Sequence, residues 1–257
     1  MKTIYNIIKY IFENNPLIKT PFYIIKAVSF QIFKRITKSI VSMKLFNGKQ
    51  IFLYPDSNVS SMFAYTSIPD KKEIEILRQY STPNTVFLDV GANIGSYSTL
   101  LMDKVKNIYA FEPHPLTAKQ CKMNFLLNNY DEKQVIQLAL NDTCGEVYFT
   151  DNKTQTSINK ISHESRDCFK VTSDTLDTFA NKHLDKDSNY IVKIDTEGFE
   201  YNVLKGGETF FKEYNVDCIV FECFGGPDSS VFKMFQNYGY KTLKIDSNNY
   251  YARKDIN

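Results

Sequence analysis

From Thr85 onward one pattern recurs, a short apolar run that ends near a carboxylate and is followed by a helical stretch, and it leaves few folds open. Residues 86–90 carry Asp89 near their end, and a helix follows Gly95. Residues 108–111 precede Glu112 and a helix over 116–127, and residues 135–140 precede Asn141 and Asp142. Residues 191–195 end in Asp195 before a helix over 199–204, and residues 218–222 end in Glu222 before a helix over 228–238. Strands spaced by helices are joined by crossovers, which makes a sheet parallel and covers both its faces. The last two runs, 240–245 and 250–253, are separated only by a turn around Ser247-Asn248-Asn249, too short for a crossover. The final strand therefore runs antiparallel to its neighbour. The expectation is an α/β chain with a mostly parallel seven-stranded sheet and a reversed last strand. Residues 145–175 interrupt the alternation: a strand pair, 146–149 with 169–172, surrounds a polar stretch that reads as an insertion over the site.

Ligands of an open α/β sheet bind at the carboxyl ends of its strands, near the switch in strand order. Asp89, Glu112, Asp195 and Glu222, with Asn141-Asp142 after the third strand, therefore outline one rim. Each alone reads equally as a helix cap or a solvated loop residue. The sharpest element is Asp89-Val90-Gly91-Ala92-Asn93-Ile94-Gly95, where glycines at a strand-to-helix turn let backbone approach a ligand. Its spacing is G-x-x-x-G rather than the G-x-G-x-x-G of dinucleotide loops. A carboxylate in front of it would repel a pyrophosphate and favour a cationic ligand such as the sulfonium and ammonium of S-adenosylmethionine. Glu112 can accept two hydrogen bonds from a ribose diol in either case.

A mostly parallel sheet with one late reversed strand resembles that of class I methyltransferases. The motifs V-F-L-D-V-G-A-N-I-G-S-Y-S, F-E-P-H-P, A-L-N-D-x-x-G-E and I-V-K-I-D-T-E-G-F-E-Y-x-V-L-K-G are similar to those of the FkbM family of S-adenosylmethionine-dependent methyltransferases, over roughly residues 70–250. The resemblance implies methylation of hydroxyl oxygens on sugars, glycolipids or natural products of polyketide or peptide type. It implies that Asp89, Gly91, Ala92, Asn93 and Gly95 surround the methionyl part of the cofactor and that Glu112 holds the ribose, with Pro113 and His114 along that edge. Asp142 would meet the adenine amino group, with Asn141 against the ring. His114 has a second reading, as the cap of the helix that starts at Pro115. A non-catalytic member that keeps the cofactor fold is the alternative from another class.

The segment Lys193-Ile194-Asp195-Thr196-Glu197-Gly198-Phe199-Glu200 carries the catalytic question. Strand alternation puts Lys193 and Asp195 on one face. A lysine in an apolar strand needs a partner, and Asp195, Glu200 and Glu222 are available. The segment reads either as an ion pair bracing adjacent strands or as a charge network that positions the acceptor and tunes a base. Asp195 is the first candidate base, because the fourth strand's end lies beside the sulfonium in such folds. Glu197 and Glu200 come next, and His163 qualifies if the polar insertion folds over the site. A divalent ion, if one is used, would sit between Asp195 and Glu222, where only two ligands are visible. The N/D-P-P-Y/F motif of amine methyltransferases is absent here, which disfavours N-methylation of planar amines.

Composition matters mainly through the distribution of charge. Residues 1–45 hold eight cations and one anion, a net of +7, whereas the remaining residues hold 23 cations and 28 anions, a net of −5. An acidic catalytic region disfavours a nucleic-acid partner. The basic segment reads as a helical extension of 1–45 before a methyltransferase domain of 46–257. Its first helix spans 4–13. Its second starts at Thr20 as N-cap with Pro21 behind it, and places Phe22, Ile25, Val28, Ile32, Phe33, Ile36 and Ile40 on one stripe opposite Lys26, Gln31, Lys34, Arg35 and Lys38. Such a helix either docks on an anionic membrane surface or packs its stripe on the domain and leaves its lysines in water. Asn47-Gly48 predicts a hairpin with a type I′ turn. Lys9 and Glu13 break any signal-peptide core, and no apolar run reaches bilayer length. The five cysteines form no C-x-x-C pair, which suits reduced thiols in a cytoplasmic protein, peripheral at the inner membrane face if the extension docks there.

Overall fold

The computed structural model describes residues 2–150, 161–162 and 168–254, and His163 lies outside them. Two helices open the chain, α1 (Lys2–Asn14) and α2 (Thr20–Thr37), followed by the hairpin β1 (Val41–Lys44) and β2 (Gln50–Leu53) and by α3 (Asn58–Tyr65) and α4 (Lys71–Tyr80). The alternating part runs β3 (Thr85–Val90), α5 (Ser96–Leu101), β4 (Asn107–Phe111), α6 (Pro115–Leu127) and the short β5 (Val135–Ile136). Next come β6 (Ala139–Leu140), β7 (Gly145–Thr150), β8 (Ile161–Ser162) and β9 (Cys168–Asp174). The rest is α7 (Leu176–His183), β10 (Asn189–Ile194), α8 (Glu200–Lys205), α9 (Glu208–Glu213), β11 (Asn215–Glu222), α10 (Ser230–Asn237), β12 (Tyr240–Lys244) and β13 (Asn249–Lys254).

The central sheet has the order β12-β13-β11-β10-β3-β4-β5. β11, β10, β3, β4 and β5 are parallel, and β13 runs antiparallel to both β11 and β12. The chain builds outward from β3 through β4 to β5, then returns to β10 on the other flank of β3. That return makes the switch in strand order, and the crevice opens at the carboxyl ends of β3 and β10. β3 is buried at all six positions because helices cover both faces. Val86, Leu88 and Val90 enter one core with Phe179, Val203, Phe210 and Phe235, whereas Phe87 enters the other with Ile74, Leu77, Leu100 and Phe125.

Three local expectations are corrected. The third strand is not continuous over 135–140: β5 stays in the central sheet, while β6 leaves it to pair in parallel with β9 in a four-stranded sheet of order β6-β9-β7-β8. Beyond Ile136 the backbone groups find their partners on β9, and Asn141 extends that pairing by donating its N–H to the Asp174 carbonyl. The hairpin at Asn47-Gly48 forms, but only Gly48 has a positive φ (80°) there; its N–H donates to the Leu45 carbonyl, and the Leu45 N–H to that of Lys49. That is a three-residue loop closed by a left-handed glycine, not a type I′ turn. In α2, Thr20 is the first helical residue and Lys19 the cap, with the Thr20 hydroxyl donating to the Pro16 carbonyl. The helix stops at Thr37, where Lys38 turns left-handed, so Ile40 lies beyond it.

The larger surprise is which face of α2 meets the protein. Tyr23, Ala27 and half-buried Phe30 point inward, and the polar residues between them are anchored on α3. The Lys26 ammonium donates to the Phe63 carbonyl at 2.9 Å, the Lys34 ammonium to the Ser61 hydroxyl at 2.9 Å and the Gln31 amide to the Tyr65 hydroxyl at 2.6 Å. Burial lowers the pKa of both lysines from the ordinary value. The apolar stripe is left in solvent, so the expected packing of that stripe on the domain does not occur.

Candidate active site at the switch point

One cleft of about 290 Å³ opens at the switch, with Gly91, Glu112, Lys193, Asp195 and Glu197 in its lining. At one end are Glu112 and Pro113, with Phe111, Leu138, Leu140 and Phe149 as an apolar wall. At the other Asp70, Tyr97, Lys193 and Asp195 cluster, and Asn58, Val59 and Met62 of α3 and Glu197 complete the lining.

Gly91 holds this arrangement together. Its φ is +79°, and a Cβ there would lie 1.8 Å from the Asp195 carbonyl oxygen, so only glycine lets the two strand ends touch. Gly95, at φ +80°, does the same for the packing of α5 on α6, where a Cβ would meet the Cys121 sulfur at 2.7 Å. Gly91, Ala92 and Asn93 line the cleft; Gly95 stands behind it.

Glu112 is buried, and its carboxylate accepts from the Asn93 N–H (2.8 Å), the His114 N–H (2.9 Å) and the Thr117 hydroxyl (2.8 Å). Burial raises its pKa, and those donors together with Lys193 oppose the rise. Asp89 behaves differently from the expectation. It is fully buried and does not line the cleft; one oxygen accepts from the Ser98 N–H (3.0 Å) and hydroxyl (2.7 Å), fastening the start of α5, and the other has no hydrogen-bond partner among the described residues. Gly91 and Lys193, on the same side of the sheet, do line the cleft, so it is the two Ser98 donors and not the face of the strand that commit the Asp89 carboxylate to α5.

Lys193 is the central charge. Only 6% exposed, its ammonium lies 3.1 Å from Asp195 Oδ2, donates to the Gly91 carbonyl at 3.3 Å and sits 4.5 Å above the Tyr97 ring. Burial alone would depress its pKa, but Asp195, Asp89 and Asp70 carry it above the ordinary value, so it is a cation. Of the three expected partners only Asp195 is bonded to it. Glu200 instead accepts from the Thr196 N–H and hydroxyl and the Gly198 N–H, tying down the loop after β10. That loop holds Glu197 in the cleft wall at φ +54°. Glu222 lies outside the lining, and burial next to Asp195, Glu197 and Glu200 pushes its carboxyl up to about 8.

The adenine-side residues also separate. His114 is the N-cap of α6, its Nδ1 accepting from the Leu116 N–H, and its ring packs on Phe149 and Phe169. Asp142 turns away to Lys205 (2.8 Å) and Asn202 (3.2 Å), which hold its pKa low, and neither it nor Asn141 lines the cleft. Asn141 is buried, and its side-chain oxygen has no partner among the described residues.

Sequence reasoning missed Asp70 and Tyr97. Asp70 stands at the N-cap of α4, where an aspartate ordinarily accepts from the first turn. Here it is left-handed (φ 48°, ψ 49°) and makes no cap, and the residue belongs to the cleft wall beside Lys193. Burial, with Asp195 and Asp246 nearby, pushes its carboxyl up to about 6 against the pull of Lys193 and a hydrogen bond with Tyr97. In the sequence, P-D-K before a helix reads only as a cap.

This sheet order with a reversed strand, and a carboxylate-rimmed cleft at the switch, define a class I methyltransferase. The family described as "Methyltransferase FkbM domain" matches residues 89–242, and the chain belongs to it. Hexuronic acid methyltransferase AglP of Haloferax volcanii is 29% identical over 164 residues, which make up 60% of this chain and 62% of that protein's length. Among solved structures, precorrin-6y C5,15-methyltransferase of Geobacter metallireducens has a TM-score of 0.39 at 12% identity, over 72% of this chain and 86% of its own. The M. jannaschii tRNA m1G37 methyltransferase has a TM-score of 0.42 at 14% identity, over 86% and 58%.

Proposed function

We propose that the chain transfers a methyl group from S-adenosylmethionine to a hydroxyl of a carbohydrate or glycolipid, with residues 46–257 as the methyltransferase domain. The observation that carries the reading is the division of the cleft into a Glu112 end with an apolar wall and a Lys193–Asp195–Asp70 end. The first suits a ribose diol and a flat heterocycle: Glu112 is already oriented by three donors and keeps acceptor capacity, and Phe111, Leu138, Leu140 and Phe149 offer an apolar surface. The acid-rich second end suits the donor's cationic centre and a polyhydroxyl acceptor. S-adenosylmethionine supplies the methyl group. An alcohol needs its proton taken up during attack. Asp195, placed by its bond to Lys193, orients the acceptor, and Asp70, with a carboxyl near 6, receives the proton. Glu197 stands on the same wall. Of the two residues expected to hold a divalent ion only Asp195 lines the cleft, and no step is assigned to one.

A sugar acceptor is favoured by the likeness to a hexuronic acid methyltransferase, and a nucleic-acid acceptor is disfavoured by the −5 balance of the catalytic region. Calorimetric titration with S-adenosylhomocysteine tests the donor half, and NADH is the control. Transfer of labelled methyl groups to a panel of hexose and hexuronic acid glycosides tests the acceptor half. Binding of NADH without S-adenosylhomocysteine would refute the reading.

A further inference from the structure

The two N-terminal helices are packed with polar groups inward and apolar groups outward. On α2, Lys26, Gln31 and Lys34 hydrogen-bond to α3, while Phe22, Ile25, Val28, Ile32, Phe33 and Ile36 face solvent, with Ile25 67% and Ile36 76% exposed. Ile18 in the connecting turn is 90% exposed, and Tyr5, Ile8 and Phe12 of α1 are exposed as well. Scattered exposed apolar residues are ordinary, but a whole helical stripe of Phe, Ile and Val is not. This orientation is locked: turning α2 to hide the stripe would break the bonds from Lys26, Gln31 and Lys34 to α3, and the anchored face also carries buried Tyr23 and Ala27.

We infer that this face docks in the plane of an anionic membrane surface. Charge selects the occupant. Lys9, Lys19, Arg35, Lys38 and Lys44 are exposed in the same segment, and Glu13 is its one anion. A second copy meeting the face isologously would bring two segments of net +7 together, which is repulsive. An anionic leaflet attracts them and accepts the apolar stripe at the acyl boundary. The remainder of the chain, at −5, is pushed away from the same leaflet, so the field also orients the molecule. No helix among the described residues is long and apolar enough to span a bilayer, so the contact lies in the interface. A shallow groove of about 350 Å³ shares Phe33 with the stripe and is lined further by Phe30, Val41 and Met43 together with polar Lys26, Ser29 and Ser42. The docked unit adjoins the cleft through α3, which packs on α2 and whose Asn58, Val59 and Met62 belong to the cleft lining. The docking itself does not depend on which acceptor is methylated.

The test is flotation of the full chain with vesicles of phosphatidylcholine alone and of phosphatidylcholine mixed with phosphatidylglycerol. Recovery with the mixed vesicles should exceed that with neutral ones by at least about tenfold and fall as salt is raised. Ile25→Glu/Ile32→Glu/Ile36→Glu should abolish it, and Arg35→Ala or Lys38→Ala should each lower it about fivefold. All three variants change exposed side chains, and unaltered melting and S-adenosylhomocysteine binding show that fold and site are intact. Absence of binding, or equal binding to both vesicle types, overturns the inference. So does a dimer in sedimentation that the triple glutamate variant dissociates, which would assign the face to a second copy.

Discussion

The sheet rim and the N-terminal helix pair break the usual partition of polar and apolar residues in opposite directions. At the rim, Lys193, Asp89, Glu112 and Glu200 are buried; on α2 the apolar stripe is in water while lysines bond inward. A buried charge is stable only when its partners are in place, so the rim is a fixed, interdependent network. An exposed apolar face contributes nothing to folding and awaits an external surface. In the readings proposed above, the first kind of exception serves a small ligand and the second a membrane surface. Substitutions should therefore act on stability at the rim and on association at the helices.

The largest effect is expected for Lys193→Met, which leaves Asp89 and Asp195 facing each other without their cation. Loss of about 3 kcal/mol in urea unfolding is expected, because Asp89 stays buried while Asp195, 40% exposed at its side chain, turns to water; a loss below about 1 kcal/mol would mean that the rim is not a network. Gly91→Ala should follow at about 2–3 kcal/mol, because its methyl group collides with the Asp195 backbone. Glu112→Gln keeps the shape but removes the charge, and should weaken S-adenosylhomocysteine binding by about 1.5–3 kcal/mol, read by calorimetry. Asp89→Ala, by contrast, should act mainly on melting, since Asp89 fastens α5 and stands outside the cleft.

A smaller effect concerns pH. Glu222 titrates near 8 in the fold and near the ordinary carboxylate value unfolded, so the folded state binds the extra proton between those limits. Its favourable contribution is fully present below the unfolded value and is lost as pH rises toward 8. The melting temperature should therefore fall by a few degrees between pH 6 and pH 8, and Glu222→Gln should flatten that slope. The smallest effect sharpens the comparison most. Ile25→Glu/Ile32→Glu/Ile36→Glu should change unfolding free energy by no more than about 0.5 kcal/mol per residue, whereas a single Ile194→Glu in the core should prevent folding.

The alternation of strands and helices, the reversed strand and the glycine loop were legible because each depends on local spacing. Glu112 was legible because a strand end dictates where its residue points. The position of Asp89 was not, since its register partner Lys193 does line the cleft and only the Ser98 donors at the start of α5 draw the Asp89 carboxylate away from it. The break between β5 and β6 was hidden in a mostly apolar run, because only β9, whose paired residues lie 34 positions onward, decides which sheet residues 139–140 join. Asp142 was misplaced for a similar reason: its partners Asn202 and Lys205 come from a distant helix.

By itself the sequence determined the sheet, its switch point, the loop at Gly91 and the family, all of which follow from residue types at short fixed separations. It also determined that α2 would be amphipathic. Which face of α2 turns inward was decided only by tertiary structure, because that depends on the carbonyl of Phe63 and the hydroxyls of Ser61 and Tyr65 being offered by α3. The same holds for Asp70, whose place in the cleft wall depends on a left-handed turn that sets α4 against β11 and leaves Asp70 beside Lys193. Periodicity reports that a helix has two faces; only the donors and acceptors of its neighbours choose between them.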